Sequence, residues 1–112
     1  MGYTTCFELE VMLRDNSALH PDSEDIIDQL RKENESAEYA LDSDGGLRND
    51  AKWYNCEAEM REFSKKFPDA LFVMHGDGEG GEDFWNAYFL NGKSQFDQCR
   101  LVYDGYEESR LS

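Results

Sequence analysis

Two stretches of this chain gather the side chains best able to do chemistry. Asp42-Ser43-Asp44-Gly45-Gly46-Leu47-Arg48-Asn49-Asp50 is a glycine-broken acidic loop, and His75-Gly76-Asp77-Gly78-Glu79 with Glu82-Asp83 adds carboxylates around an imidazole. Hard cations take oxygen ligands from such loops, but at fixed spacings. After Asp42-Ser43-Asp44, Gly46 stands where an EF-hand would place its third ligand and Leu47 where it needs the sharp-turn glycine. Both stretches therefore read as acidic, solvated turns, with no metal and no cofactor expected. Asp42, Asp44, Asp50, Asp77, Glu79, Glu82 and Asp83 are instead the candidate residues for meeting a basic partner.

Catalysis finds less support. His20 and His75 lie in no nucleophile motif, and His75, ending an apolar run, reads as a hydrogen-bonded strand-end histidine. Gly76, Gly78, Gly80 and Gly81 are interleaved with acids that would repel phosphate, so no nucleotide fingerprint is present. The aromatic pairs Trp53-Tyr54, Phe84-Trp85 and Tyr88-Phe89 could stack on bases, but in an acidic setting most of them read as core. Cys6, Cys56 and Cys99 are odd in number, with no C-x-x-C, and read as reduced small core residues rather than a disulfide framework or zinc knuckle. No enzymatic role is expected.

The net charge points to the partner. Asp and Glu number 25 against 11 Lys and Arg, a formal charge of -14 on 112 residues. Such a chain repels nucleic acid and anionic membranes and is drawn to basic surfaces. Closely spaced carboxylates on a rigid surface can imitate nucleic-acid phosphates and fill an Arg/Lys-lined groove. The aromatic content, 13%, separates the chain from a disordered acidic tail. The start, Met1-Gly2-Tyr3-Thr4-Thr5, lacks a basic n-region and an apolar h-region, and the expected location is the cytoplasm.

The elements that must position these residues follow from periodicity. Tyr3 to Leu13 alternates as a half-buried strand, and Pro21-Asp22-Ser23 starts a helix whose inner stripe is Ile26, Ile27 and Leu30, running to about Asn34. Glu38 to Leu41 reads as a short strand. A second helix starts at an Asn55 cap, carries Cys56, Met60, Phe63 and Phe67 on one face, and stops at Pro68. Ala70 to His75 is a strand, followed by an acidic loop from Gly76 to Glu82. Phe84 to Leu90 and Gln95 to Tyr103 form a hairpin through Asn91-Gly92. The order predicts one α+β domain over residues 1–104 with a polar tail over 105–112. Its architecture is a two-layer sandwich, a mainly antiparallel four- to five-stranded sheet with two helices on one face, as in ferredoxin-like folds.

Several segments resemble a group of small acidic proteins of phages, prophages and other mobile elements. They are the start Met1 to Thr5, Lys52-Trp53-Tyr54 leading to Met60, Phe63 and Phe67-Pro68-Asp69, Leu71-Phe72-x-x-His75-Gly76-x-Gly78-Glu79, and Asp83-x-Trp85-x-x-Tyr88-Phe89-x-Asn91-Gly92-Lys93. The likeness covers the first strand and most of the second half. It implies genomic company among inhibitors of host defence, including anti-CRISPR proteins, in a bacterial host. It assigns no active site. The expectation is a non-enzymatic inhibitor binding a basic groove on a host nucleic-acid-handling protein. The alternatives are an accessory protein-interaction domain whose charge serves solubility, and a small-molecule or nucleotide-capturing module. The last needs basic residues in an aromatic pocket, for which the candidates are Arg48, Lys52, Lys93 and Arg100.

Overall fold

Alternation in the first strand decides the layering. In β1 (Thr5–Leu13) the residues Thr5, Phe7, Leu9 and Val11 are buried, while Glu8 and Glu10 between them are exposed. One face of the sheet thus carries the core and the other meets solvent. The computed structural model describes residues 5–78 and 84–99. After β1 come α1 (Ser23–Glu33), α2 (Glu35–Ala40), α3 (Cys56–Ser64), β2 (Ala70–Gly78), β3 (Phe84–Leu90) and β4 (Lys93–Cys99). The strands form one antiparallel sheet in chain order, β1-β2-β3-β4. The chain is α+β, with its helices over one sheet face. The strand order is the plain sequential one.

The helices supply Ile26, Ile27, Leu30, Ala37, Ala40, Met60 and Phe63 to a core shared with Phe7, Leu9, Val11, Phe72, Met74, Ala87 and Phe89 of the sheet. In α1, Glu24 and Asp25 lie in the first turn and Arg31 and Lys32 in the last, each complementing the helix dipole. The short strand expected at Glu38 to Leu41 is corrected to helix α2. Asn34 ends α1 in an extended conformation and its side chain accepts a 3.0 Å bond from Ala37 N–H, which caps a new helix. Ala37 and Ala40 then bury at helical spacing. The layer therefore holds three helices rather than two. In α3, Asn55 occupies the cap position but makes no side-chain cap bond.

The helix face Cys56, Met60, Phe63 is buried as the spacing predicts. Phe63 meets Phe72 edge-on, with ring centroids 5.7 Å apart, and Phe67 packs beside it at 5.5 Å. The part of the expected strand Gln95 to Tyr103 that follows Cys99 lies outside the described residues. Asn91 and Gly92 both take positive φ, 45° and 81°, as a type I′ turn demands. That turn is tied to α3 by the fully buried Ser64, whose hydroxyl donates to Arg61 C=O at 2.7 Å and accepts Gly92 N–H at 2.8 Å.

A second correction concerns the start of the acidic loop. β2 continues through Gly76 and Asp77 to Gly78, paired with Phe7, Cys6 and Thr5 of β1. The glycines at 76 and 78 read as loop in the sequence, yet Gly76 is required in the strand: a Cβ there would occupy the space of the Trp85 ring, which lies across from it on β3. Asp77 is consequently a strand residue facing solvent.

Phe63→Ala should destabilise the fold by about 3 to 5 kcal/mol, as large-to-small core changes do. A thermal midpoint equal to that of the wild type would show that the helix does not pack in this way. Ser64→Ala should cost about 1 to 3 kcal/mol, because it leaves Gly92 N–H without its acceptor. Chemical denaturation of the variant, with unchanged m-value, reads that loss directly.

Candidate functional site

The acidic segment from Asp42 to Asp50 is held against the outer edge of β1 by backbone bonds. Gly45 C=O accepts from Leu9 N–H at 2.7 Å, and Thr5 and Ala51 exchange two bonds of 2.9 Å. Gly45 adopts φ of +89°, and a side chain there would collide with the Leu9 carbonyl. Within the segment Asp42 N–H donates to Gly46 C=O at 2.8 Å, and Asp44 Oδ1 accepts from Gly46 N–H at 2.9 Å. Arg48 and Asn49 close the far end by donating to the carbonyls of Glu38 and Tyr39 at the end of α2, at 2.8 and 2.9 Å. The segment is a built loop with exposed carboxylates at Asp42, Asp44 and Asp50.

The two acidic stretches meet at Cys6. Its thiol donates to Asp50 Oδ1 at 2.9 Å, and Asp77 is its direct cross-strand neighbour. The hydrogen bond to Asp50, then partial burial, then the charges of Asp50, Asp77 and Glu8 push the thiol up to about 11. Cys6 is therefore no core residue: it lies half-buried on the open side of the sheet, protonated at neutral pH, and is a poor nucleophile. Cys56 does behave as a core thiol, and burial raises its pKa further, with Glu59 and Glu57 adding to the effect.

Register sets the rest of this open face. Glu8, His75, Asn86 and Asp97 stand directly across four strands, and Glu10 is one pleat along from Glu8. His75 Nδ1 lies 2.6 Å from Asn86 Oδ1 and Nε2 3.3 Å from Glu10 Oε1, so the ring donates to both only as the imidazolium. Cys6, Glu8, His75, Asp77, Phe84 and Asn86 line a cleft of about 290 Å³ at this end of the sheet. Sequence reasoning chose Asp77 and passed over Glu8 and Glu10, although the alternation of β1 placed both on the outer side. Of the chosen residues, the structure brings Asp50 and Asp77 together. Asp42 and Asp44 sit at the turn of the loop, and Glu79, Glu82 and Asp83 lie outside the described residues.

The helical layer, by contrast, holds lysine–carboxylate pairs. There Asp28 pairs with Lys32 at 2.9 Å, Glu62 with Lys65 at 2.8 Å, and Glu33 with Lys66. Among the described residues no Lys or Arg pairs with Glu8, Asp50 or Asp77. A wider cleft of about 420 Å³ lies between α1 and α3, but its polar groups already bind one another. Asn34 and Trp53 donate to Glu59 Oε1 at 2.8 and 3.2 Å, and Glu33 is paired with Lys66. Among the described residues no three His, Cys, Asp or Glu side chains converge in a metal-holding group, and no helix is long and apolar enough to cross a membrane. The second histidine, His20, is buried and structural: Nδ1 accepts from Asp22 N–H at 3.0 Å and Nε2 lies 3.2 Å from Asp69 Oδ2.

The raised thiol gives two measurable consequences. Asp50→Asn removes the carboxylate that accepts from Cys6, so alkylation of Cys6 at about pH 8 should become several-fold faster as its thiolate fraction rises. Mapping by peptide mass spectrometry checks the site, and an unchanged rate would exclude the Asp50 contact in solution. The folded thiol titrates above its ordinary value of 9.0, so its contribution to stability is complete below about pH 9 and is lost as pH rises through about 11. Cys6→Ser should therefore lose less stability than the wild type across that window in a thermal-midpoint series. Searches against protein-family models, curated proteins and solved structures find no match to this chain.

Proposed function

We propose that the chain is a non-enzymatic inhibitor of the phage anti-defence type, which binds a basic groove on a nucleic-acid-handling protein of a bacterial host, such as a CRISPR effector. One observation carries the reading: Glu8, Asp50 and Asp77 converge on one end of the sheet and have no Lys or Arg partner among the described residues, whereas Asp28, Glu33 and Glu62 of the helical layer each have a lysine partner. Exposed carboxylates without intramolecular cations keep their full field for an external one. They stand on strands and on a hydrogen-bonded loop, which is how a rigid phosphate mimic would be built. Glu79, Glu82 and Asp83 follow Asp77 in the sequence and lie outside the described residues.

The nucleotide-capturing alternative draws less support from the geometry. Arg48, one of its few candidate cations, donates to the Glu38 carbonyl, and Lys93 stands at the opposite corner of the open face from the Cys6 cleft. A phosphate approaching that cleft would meet Glu8 and Asp77 first.

The test is capture of host proteins from a bacterial lysate on the immobilised chain, followed by competition with duplex DNA. The captured protein should be a nucleic-acid binder, should be displaced by DNA, and should leave progressively as salt shortens the Debye length below about 10 Å. Asp50→Lys with Asp77→Lys should weaken that binding about tenfold or more. Reversal of Glu24, Asp25 and Asp28 on α1 should leave it nearly unchanged. Binding indifferent to salt, or lost only with the α1 reversal, would overturn the proposal.

A further inference from the structure

The two outer edges of the sheet are treated differently. Along β1, Thr5 pairs with Ala51, Leu9 N–H donates to Gly45 C=O, Val11 C=O accepts from His20 N–H at 2.9 Å, and Leu13 N–H donates to Ala18 C=O at 2.8 Å. Among the described residues nothing pairs with the outer edge of β4, whose sheet neighbour is β3. The two-residue turn fixes which groups that edge presents. Leu90 and Lys93 close the hairpin, so Lys93, Gln95 and Asp97 bond to β3 while Ser94 and Phe96 aim their N–H and C=O groups outward. Phe96 is 59% exposed on the helix-bearing face, and with it Cys56, Glu57, Trp85, Ala87, Phe89 and Ser94 line a mostly apolar cleft of about 140 Å³.

We propose that β4 pairs antiparallel with β4 of a second copy of this chain, in a two-fold register centred on Gln95, to make one continuous eight-stranded sheet. The outward groups require Ser94 and Phe96 to be the hydrogen-bonding residues, which leaves few registers. Centring on Gln95 sets Ser94 opposite Phe96 of the second copy, with that ring over the apolar cleft. It also sets Lys93 opposite Asp97 of the second copy, twice, on the open face. A register centred on Phe96 would instead place Lys93 against Cys99 and leave both charges unmatched. A strand that is positive at one end and negative four residues later is complementary to its own reverse, which selects a second copy over a foreign strand.

Sedimentation equilibrium of the full chain at about 0.15 M salt, where the Debye length of about 8 Å confines long-range repulsion, tests the pairing. The wild type should show the mass of two chains. Lys93→Asp places like charges across the pair and should give the mass of one chain. Lys93→Asp with Asp97→Lys re-forms both pairs with the signs exchanged and should restore the mass of two. Lys93 and Asp97 are exposed, so all three proteins should share one circular dichroism spectrum and melt cooperatively. A single-chain mass for the wild type at every concentration, a two-chain mass for Lys93→Asp, or a double variant that stays single would each overturn the proposal.

Discussion

The close approach of Trp85 to the Gly76 backbone sets the geometry of the acidic end of the molecule. With no Cβ at position 76, the indole lies flat across β2 and reaches Phe7 of β1, with ring centroids 5.9 Å apart. Trp53 meets the other side of Phe7 at 5.4 Å. This aromatic group extends the core to the end of the sheet, where strand pairing alone would fray. β2 consequently remains paired through Gly78, and the pleat turns Asp77 toward the open face beside Cys6. Any residue larger than glycine at 76 would expel the indole, and the alignment of Asp77 with Asp50 would go with it.

An excess of 14 negative charges must be accommodated somewhere on a small globule. Part of it is offset in the helical layer, by Asp28–Lys32 and Glu62–Lys65 at helical spacing and Glu33–Lys66 between α1 and the end of α3. Exposed pairs of this kind add little stability, but they cancel charge where helices pack closely. The open sheet face is organised differently. On it Met12, Leu71, Leu90 and Lys93 share the hairpin end, Glu10 stands one pleat in from them, and Glu8 and Asp77 stand toward the other end with Phe84. Glu8 and Asp77 are exposed there, and among the described residues no Lys or Arg pairs with them, so their field adds instead of cancelling.

Strands β1 and β3, helix α1, the buried face of α3 and the hairpin turn are legible in the sequence because each is a local pattern. Alternation gives β1, a 3.6-residue stripe the helices, and Asn91-Gly92 the turn and with it the hairpin strand β3. What was missed depends on contacts between distant segments. Glu35 to Ala40 carries too short a stripe to identify itself, and the Asn34 cap that starts it is recognisable only once α1 is known to end there. The extension of β2 hinges on Trp85, nine residues away and on another strand. Asp50 and Asp77 could be read as carboxylates in acidic stretches, but their meeting at Cys6 is a matter of register and of the loop edge. Glu8 and Glu10 were legible as outward residues of β1, yet favouring loops over strands as binding positions set them aside.

The loop from Asp42 to Asp50 joins the two themes of the fold, edge protection and charge. Exposed strand edges template unwanted pairing, and here β1 is covered by its own chain through Gly45 and Ala51. The left-handed φ of Gly45 brings the loop backbone within bonding distance of Leu9, and Arg48 and Asn49 fasten it to the end of α2. A loop so fastened loses little further conformational freedom when its carboxylates meet a cation. The hydrogen bonds that close the sheet edge are thus the same ones that hold Asp50 against Cys6, so edge protection and preorganisation of the acidic surface cannot be separated by mutation of the loop backbone.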